Sequence, residues 1–154
     1  MNTLTQLLPQ FAIAVLTALI TVYLALHRFR TEKWWERKAE TYSHIIEALH
    51  SAKHTLEVNY KAEMNRHDIP AERDKTLNER SLQANDDIRK SIDTSAFLLC
   101  DAAHQRLVRY SKEADAVDTE CSYFEYLDNL IPIHASCIAD IIKIARKDLG
   151  IRYK

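Results

Sequence analysis

Two carboxylate–histidine pairs have the spacing of metal ligands. Glu47 precedes His50 by three residues, and Asp101 precedes His104 by the same interval. In di-iron helical bundles, a carboxylate-x-x-His motif points both ligands into the bundle. At about 100° per residue, however, Asp101 lies about 180° from Ile92, the centre of the apolar stripe of its helix. Glu47 lies about 140° from Tyr42, which belongs to the apolar stripe of the first helix. The spacing matches a di-iron site, but the helical phase predicts that both carboxylates face solvent.

Two further histidines, His54 and His134, could also carry chemistry. His50 and His54 are one helical turn apart and could hold one metal ion from the helix surface, although two ligands are too few for a structural site. A polar helix flank is the favoured interpretation of this pair. His134 lies within an apolar stripe, so it could be a ligand, a buried pH switch or a core residue. We favour a core histidine that is hydrogen-bonded to a neighbouring carbonyl or carboxylate.

The other reactive residues give no catalytic pattern. Cys100, Cys121 and Cys137 are odd in number and form no C-x-x-C motif, which predicts reduced thiols in a cytosolic domain. No phosphate-binding loop, nucleophile elbow or H-E-x-x-H motif is present. The sequence therefore favours a non-enzymatic protein that needs no cofactor.

The composition predicts an all-α fold. With one glycine and three prolines in 154 residues, the chain lacks the turn residues of a multi-stranded sheet. Apolar residues recur at helical spacing over 35–60, 77–110 and 123–145. Short connections between long amphipathic helices favour antiparallel neighbours, so we predict a three-helix bundle over 39–154.

The helix ends are marked by few signals. Asp68 is the expected N-cap of the second helix, which should run to about Glu113, although a kink within 91–97 is left open. Asp118 or Thr119 should cap the third helix, and Pro132 should kink it. Gly150 should end this helix as a left-handed cap.

The first residues form an uncharged stretch. No Asp, Glu, Lys or Arg occurs from Asn2 to Leu26. Leu7–Leu26 supplies the roughly 20 apolar residues that a transmembrane helix needs. A cleaved signal peptide would have positive charge before the apolar run, whereas here the basic residues follow it. We therefore predict an uncleaved anchor over 1–27.

A basic and aromatic strip, residues 28–38, follows the anchor. Its five cations and two carboxylates give a net charge of +3. The positive-inside rule predicts that this strip and the following domain are cytoplasmic, with the amino terminus outside. Trp34 suits an interfacial anchor, and Trp35 could also be the first core residue of the bundle. The expected membrane-interface residues are Arg28, Arg30, Lys33, Trp34, Trp35, Arg37 and Lys38.

Small residues recur within the predicted span. Ala14 and Ala18 are four residues apart, as are Thr17, Thr21 and Ala25 in succession. Such spacing lets membrane helices pack closely, and it predicts a contact between two copies of the span.

The sequence supports three classes of function. The leading hypothesis is an interaction module at the cytoplasmic face that binds lipid and either a protein partner or a second copy. The alternatives are a small membrane effector whose spans self-associate and a cryptic metalloenzyme that uses His50, His54 or His134. The net charge of −1 argues against nucleic-acid binding.

Three segments resemble a bacterial group of proteins. They are FRTEKWWERKAETY (Phe29–Tyr42), IIEALH (Ile45–His50) and RKDLGI (Arg146–Ile151). The chain is similar over most of its length to small, uncharacterised single-span membrane proteins of bacteria. The resemblance implies the bacterial inner membrane and a helical cytosolic domain. It implies no activity, ligand or catalytic residue.

Overall fold

A computed structural model describes residues 2–66 and 69–151, with side chains from Val15 onward. Four helices account for most of the described residues: α1 Asn2–Asn65, α2 Ala71–Leu98, α3 Asp101–Asp115 and α4 Tyr123–Asp148. No strand occurs among these residues, so the all-α prediction is confirmed.

The chain divides into two compact units, Met1–Arg37 and Lys38–Lys154. We call them the amino-terminal unit and the bundle unit; α1 contributes residues to both. Every side chain from 15 to 37 is exposed. In the part of the chain that the structure describes, no helix has both the length and the apolar character needed to cross a bilayer.

α1 and α4 are antiparallel within the bundle unit. Lys38 of α1 contacts Asp148 near the end of α4, with Nζ 2.8 Å from Oδ1. At the opposite end, the ring of Tyr60 stacks on that of Phe124, with centroids 4.7 Å apart. The order of these contacts along the two helices fixes their opposite directions.

The predicted second helix consists of two helices. α2 ends at Leu98 and α3 begins at Asp101, and both intervening residues have extended backbone, with ψ of 169° at Leu99 and 154° at Cys100. Across this turn, Ser95 Oγ lies 3.0 Å from His104 Nδ1, so the chain reverses direction. The three-helix prediction is wrong, because the described residues of the bundle unit form four helices that alternate in direction.

No glycine or proline marks this reversal. The hydroxyls of Thr94 and Ser95 donate to carbonyls four and three residues earlier, at 2.5 and 2.7 Å. Such bonds compete with regular helix propagation. The buried positions nevertheless keep a four-residue step through the turn: Ser95, Leu99, Ala103 and Leu107. The turn therefore looks like an uninterrupted helical stripe in the sequence.

The reversal can be tested by a distance measurement. Spin labels at exposed Lys90 and Lys112, in a cysteine-free background, should lie within about 20 Å, because packed helix axes are roughly 8–10 Å apart. A continuous helix would separate the same two backbones by about 33 Å. A second pair at Asp128 and Lys143, both in α4, serves as the control and should give about 22 Å. A distance near 33 Å for the first pair would contradict the turn.

The beginning of α4 has a cap that differs from the predicted ones. Ser122 Oγ accepts the backbone N–H of Glu125 at 3.3 Å, and Glu125 Oε2 accepts that of Ser122 at 3.1 Å. This reciprocal capping box satisfies two amide donors of the first turn. Asp118 instead accepts the N–H of Glu120 in the preceding loop, so the prediction of Asp118 or Thr119 as the cap is wrong.

The end of α4 confirms the predicted glycine cap. Gly150 has a φ of +68°. Its N–H donates to the carbonyl of Lys147 at 3.3 Å, and the N–H of Ile151 donates to that of Arg146 at 2.9 Å. This pair of bonds is the Schellman motif, which favours glycine because other residues are strained at positive φ.

Two other predicted boundary signals have different outcomes. Asp68 lies outside the described residues, and Pro70 takes the N-cap position, directly before α2. Pro132 lies inside α4, which continues to Asp148.

One hydrophobic core joins the four helices of the bundle unit. The side chains of Trp35 and Tyr123 are 48% and 50% exposed, so neither of these predicted stripe residues belongs to the core. The largest fully buried side chains are Tyr42, Ile45, Leu49, Ser95, Leu107, Leu127, Cys137 and Ile141.

Candidate functional site

A cavity of about 440 Å³ is lined by residues of all four helices in the bundle unit. Small-molecule sites typically occupy roughly 300–1,000 Å³, and bundles often place them between helices. Apolar side chains such as Ile88 and Leu127 form part of the wall. The polar lining includes Thr55, Asn59, Asn85, Tyr110, Ser111 and His134.

His134 is held by hydrogen bonds on both ring nitrogens. Its Nδ1 lies 3.0 Å from the carbonyl oxygen of Leu130, one turn earlier in α4. Its Nε2 lies 2.7 Å from the hydroxyl of Tyr110 in α3. The two rings meet edge to face, with centroids 5.1 Å apart. The predicted carbonyl partner of a core histidine is therefore confirmed.

Burial sets the protonation of this pair. The pKa of His134 is lowered mainly by desolvation, and burial likewise raises the pKa of the Tyr110 phenol. Near neutral pH, His134 is therefore an uncharged imidazole that donates a hydrogen bond from Nδ1 and accepts one from the Tyr110 hydroxyl at Nε2. The raised pKa keeps the Tyr110 phenol protonated near neutral pH, so the pair does not supply a phenolate nucleophile.

The buried imidazole makes bundle stability depend on pH. Because the folded pKa of His134 is lowered from about 6.5, its contribution is complete above pH 6.5 and is lost as pH falls toward the folded value. Between pH 7 and 5.5, the free energy of unfolding should fall by up to about 1 kcal/mol more in wild type than in His134→Gln. Denaturant titrations at both pH values measure this difference. His50→Gln changes an exposed histidine and should match wild type; equal pH slopes for all three proteins would contradict the role of His134.

The other candidate histidines lie outside this cavity. His50 and His54 are both exposed on α1, and His104 contacts Ser95 at the α2–α3 turn. No cluster of three or more potential metal-ligating side chains occurs among residues 15–66 and 69–151. In this part of the chain, the structure does not bring the histidines together.

Both carboxylates face solvent, as predicted, but for different reasons. Glu47 and Asp101 are both exposed. For Glu47, the stripe of α1 is continuous and the angular prediction holds. For Asp101, the predicted angle assumes a single helix from Ile92 to Asp101, and the turn at Leu99 interrupts that helix. Asp101 is instead the first residue of α3, where its negative charge interacts favourably with the positive end of the helix dipole.

Arg106 is a buried cation that the sequence prediction missed. It is 8% exposed, and its Nε donates to Asp140 Oδ2 of α4 at 2.7 Å. It also contacts Glu113 at 3.3 Å and Ser136 at 3.3 Å. Its position three residues after buried Ala103 places it beside the stripe, and this spacing was the available signal. The contacts with Asp140 and Ser136 join α3 to α4.

A second polar cluster joins α1, α4 and the turn between α2 and α3, at the end of the bundle unit opposite the Tyr60–Phe124 contact. Asp148 accepts from Lys38 Nζ at 2.8 Å and from the Tyr42 hydroxyl at 2.7 Å. The same hydroxyl lies 3.6 Å from Cys100 Sγ. Burial would raise the pKa of Asp148, but the bonds from Lys38 and Tyr42 lower it, which keeps it ionised. The cluster fixes the start of the bundle segment of α1 against α4.

All three cysteines have free thiols. Cys137 is fully buried, and desolvation raises the pKa of its thiol to about 12, so it packs as an unreactive apolar group. Cys121 Sγ donates to the carbonyl of Asp118 at 3.0 Å. The prediction of unpaired cysteines is confirmed.

The predicted interface residues lie mostly in the amino-terminal unit. Arg28 pairs with Glu32 at 2.9 Å, and Lys33 pairs with Glu36 at 2.6 Å. The remaining predicted interface residues in this unit, which are Arg30, Trp34, Trp35 and Arg37, are exposed. These side chains remain accessible on the surface of the amino-terminal unit.

The small residues of the predicted membrane contact are exposed where they are described. Thr17, Ala18, Thr21 and Ala25 belong to this group, whereas the side chain of Ala14 lies outside the described ones. The Thr21 hydroxyl donates to the Thr17 carbonyl at 2.8 Å, so its hydrogen bond is formed within the same helix.

Comparison with known proteins gives no further assignment, since no protein-family model, curated protein or solved structure significantly matches the chain.

Proposed function

We propose that the protein is a membrane-tethered interaction module. The amino-terminal part of α1 lies in the bacterial inner membrane, and the helical bundle is held on the cytoplasmic side, where it binds a protein partner or a second copy. The bundle acts by binding, without catalysing a reaction.

The uncharged stretch is the observation that carries this proposal. No charged side chain occurs from Asn2 to Leu26, and the five cations of residues 28–38 follow directly. The proposed span, Leu7–Leu26, includes residues 7–14, whose side chains lie outside the described part. Insertion of such a stretch is favourable because it removes apolar side chains from water, and the cations retain the following domain in the cytoplasm.

Exposed apolar residues on α2 support the binding role. Leu82 and Phe97 are 68% and 78% exposed in the bundle unit. Burial of apolar side chains of this size by a partner is favourable, and aromatic residues are enriched at interfaces. We therefore place the proposed protein contact on α2.

Crosslinking in native membranes tests the proposal. A photoreactive amino acid at Phe97 should give a discrete adduct with another protein or with a second copy. The same group at Lys112, an exposed residue of α3, is the control and should give less adduct. A protein that remains monomeric in detergent and gives no adduct from Phe97 would contradict the interaction role.

A further inference from the structure

A groove of about 810 Å³ is lined by residues of α3, α4 and the turn before α3. Its charged lining consists of four cations and two carboxylates, a net charge of +2: Arg106, Arg109, Lys143, Lys147, Asp140 and Asp148. Residues 38–154, by contrast, contain 17 Lys and Arg against 20 Asp and Glu. The groove therefore concentrates positive charge on a domain that is negative as a whole.

Both carboxylates of the groove already have cationic or hydroxyl partners. Asp140 accepts from Arg106 at 2.7 Å. Asp148 accepts from Lys38 at 2.8 Å and from Tyr42 at 2.7 Å. Both oxygens of Asp148 and one oxygen of Asp140 therefore already accept hydrogen bonds from other side chains of the protein.

Three cations of the groove are available to a ligand. Arg109, Lys143 and Lys147 are exposed, and none has an ion-pair partner among the residues that the structure describes. Arg109 comes from α3, whereas the two lysines are one turn apart on α4. Arg109 lines the α3 side of the groove and the two lysines line its α4 side, and both guanidinium and ammonium groups bind phosphate oxygens.

The groove also offers apolar surface beside these cations. Ala102 of α3 and Ile144 of α4 contribute to its lining. A ligand with a phosphate and a short carbon skeleton could therefore use both kinds of surface. The groove that α1 and α2 line is different, because its two cations, Arg80 and Lys90, are balanced by Glu47 and Asp87.

We propose that the α3–α4 groove binds a phosphate-bearing anion through Arg109, Lys143 and Lys147. An anionic phospholipid headgroup and a soluble phosphate ester share this chemistry. The headgroup is the favoured source, because groove residue Asp148 contacts Lys38, which is only twelve residues along the chain from Leu26. This choice of source rests on the proposed membrane tether; the phosphate site itself does not.

Lysine acylation of the full chain tests the proposal and separates the two sources. The protein is placed in nanodiscs of phosphatidylcholine alone, of phosphatidylcholine with phosphatidylglycerol, and of phosphatidylcholine with added glycerol 3-phosphate. Lys143 and Lys147 should react at least about threefold more slowly in the arm that holds the ligand. Lys90 in the balanced groove should react equally in all arms. Protection by phosphatidylglycerol assigns a headgroup, protection by glycerol 3-phosphate assigns a soluble ester, and no protection in either arm overturns the proposal.

A pair of variants distinguishes a built site from attraction to a charged surface. Arg109→Gln should remove at least half of the protection of Lys143 and Lys147. Lys112→Gln, which removes an exposed charge from the same helix outside the groove, should leave it unchanged. Equal losses in the two variants would overturn the proposal.

Failure of the membrane tether would give a different result. The protein would then not stay in any nanodisc, and the glycerol 3-phosphate arm would be run in detergent micelles. Protection there would support the groove, and its absence would overturn it.

Discussion

Leu107→Ala should lower the free energy of unfolding of the bundle by about 2–5 kcal/mol, the usual cost of removing a large buried side chain and leaving a cavity. Leu107 is completely buried in α3 and belongs to the core shared by the four helices. The substitution removes apolar contacts from a helix that completes the bundle. Chemical denaturation of the full chain, followed by circular dichroism, measures the change.

Leu82→Ala is the matched control for this substitution. Leu82 is 68% exposed on α2, so the same chemical change should alter stability by less than about 0.5 kcal/mol. Similar effects of the two substitutions would contradict the position of α3 in the core.

The double substitution Leu16→Asp/Ile20→Asp should release the protein from the membrane. On the biological insertion scale, each aspartate near the centre of a span costs about 2.5–3.5 kcal/mol, and each replaced apolar residue also loses its favourable contribution. The fraction in alkali-washed membranes should fall at least about tenfold. Both positions lie outside the bundle unit, so the helical content of the bundle should persist.

Leu16→Val/Ile20→Leu is the control for membrane release. It changes the same positions but keeps the stretch apolar, so the protein should remain in the washed membranes. An equal distribution of both double variants between membrane and supernatant would contradict the proposed anchor.

The helix stripes could be predicted from sequence because burial imposes a regular spacing. Ile45, Leu49 and Ala52 follow helical steps along α1, and the structure buries all three. The glycine cap could also be predicted from the sequence, because Gly150 is the only glycine and follows a basic last turn. These signals are local, since each depends on one helix face or one backbone angle.

The turn at Leu99 and Cys100 could not be predicted in this way. It contains no glycine or proline, and packing of buried Leu99 helps to hold its extended backbone. Because the four-residue step of buried positions passes through the turn, periodicity alone suggested one helix. The difference between three helices and four therefore depends on tertiary contacts.

Only part of the candidate cavity could be predicted from the sequence. A histidine within an apolar stripe indicated that His134 would be buried and hydrogen-bonded. Its partner Tyr110 comes from α3, and the merged helix prediction could not bring these two residues together. The burial of Arg106 could not be predicted, because a charged residue beside a stripe is normally solvent-exposed and its burial depends on Asp140 across the α3–α4 contact.

Reporter fusion after Lys154 is the most direct test of the central claim that α1 anchors a cytoplasmic bundle. Two fusions are compared in bacterial cells: a fluorescent protein that is active only in the cytoplasm and a phosphatase that is active only in the periplasm. We expect membrane-bound fluorescence from the first fusion and no phosphatase activity from the second. An active phosphatase fusion together with a dark fluorescent fusion would contradict the claim.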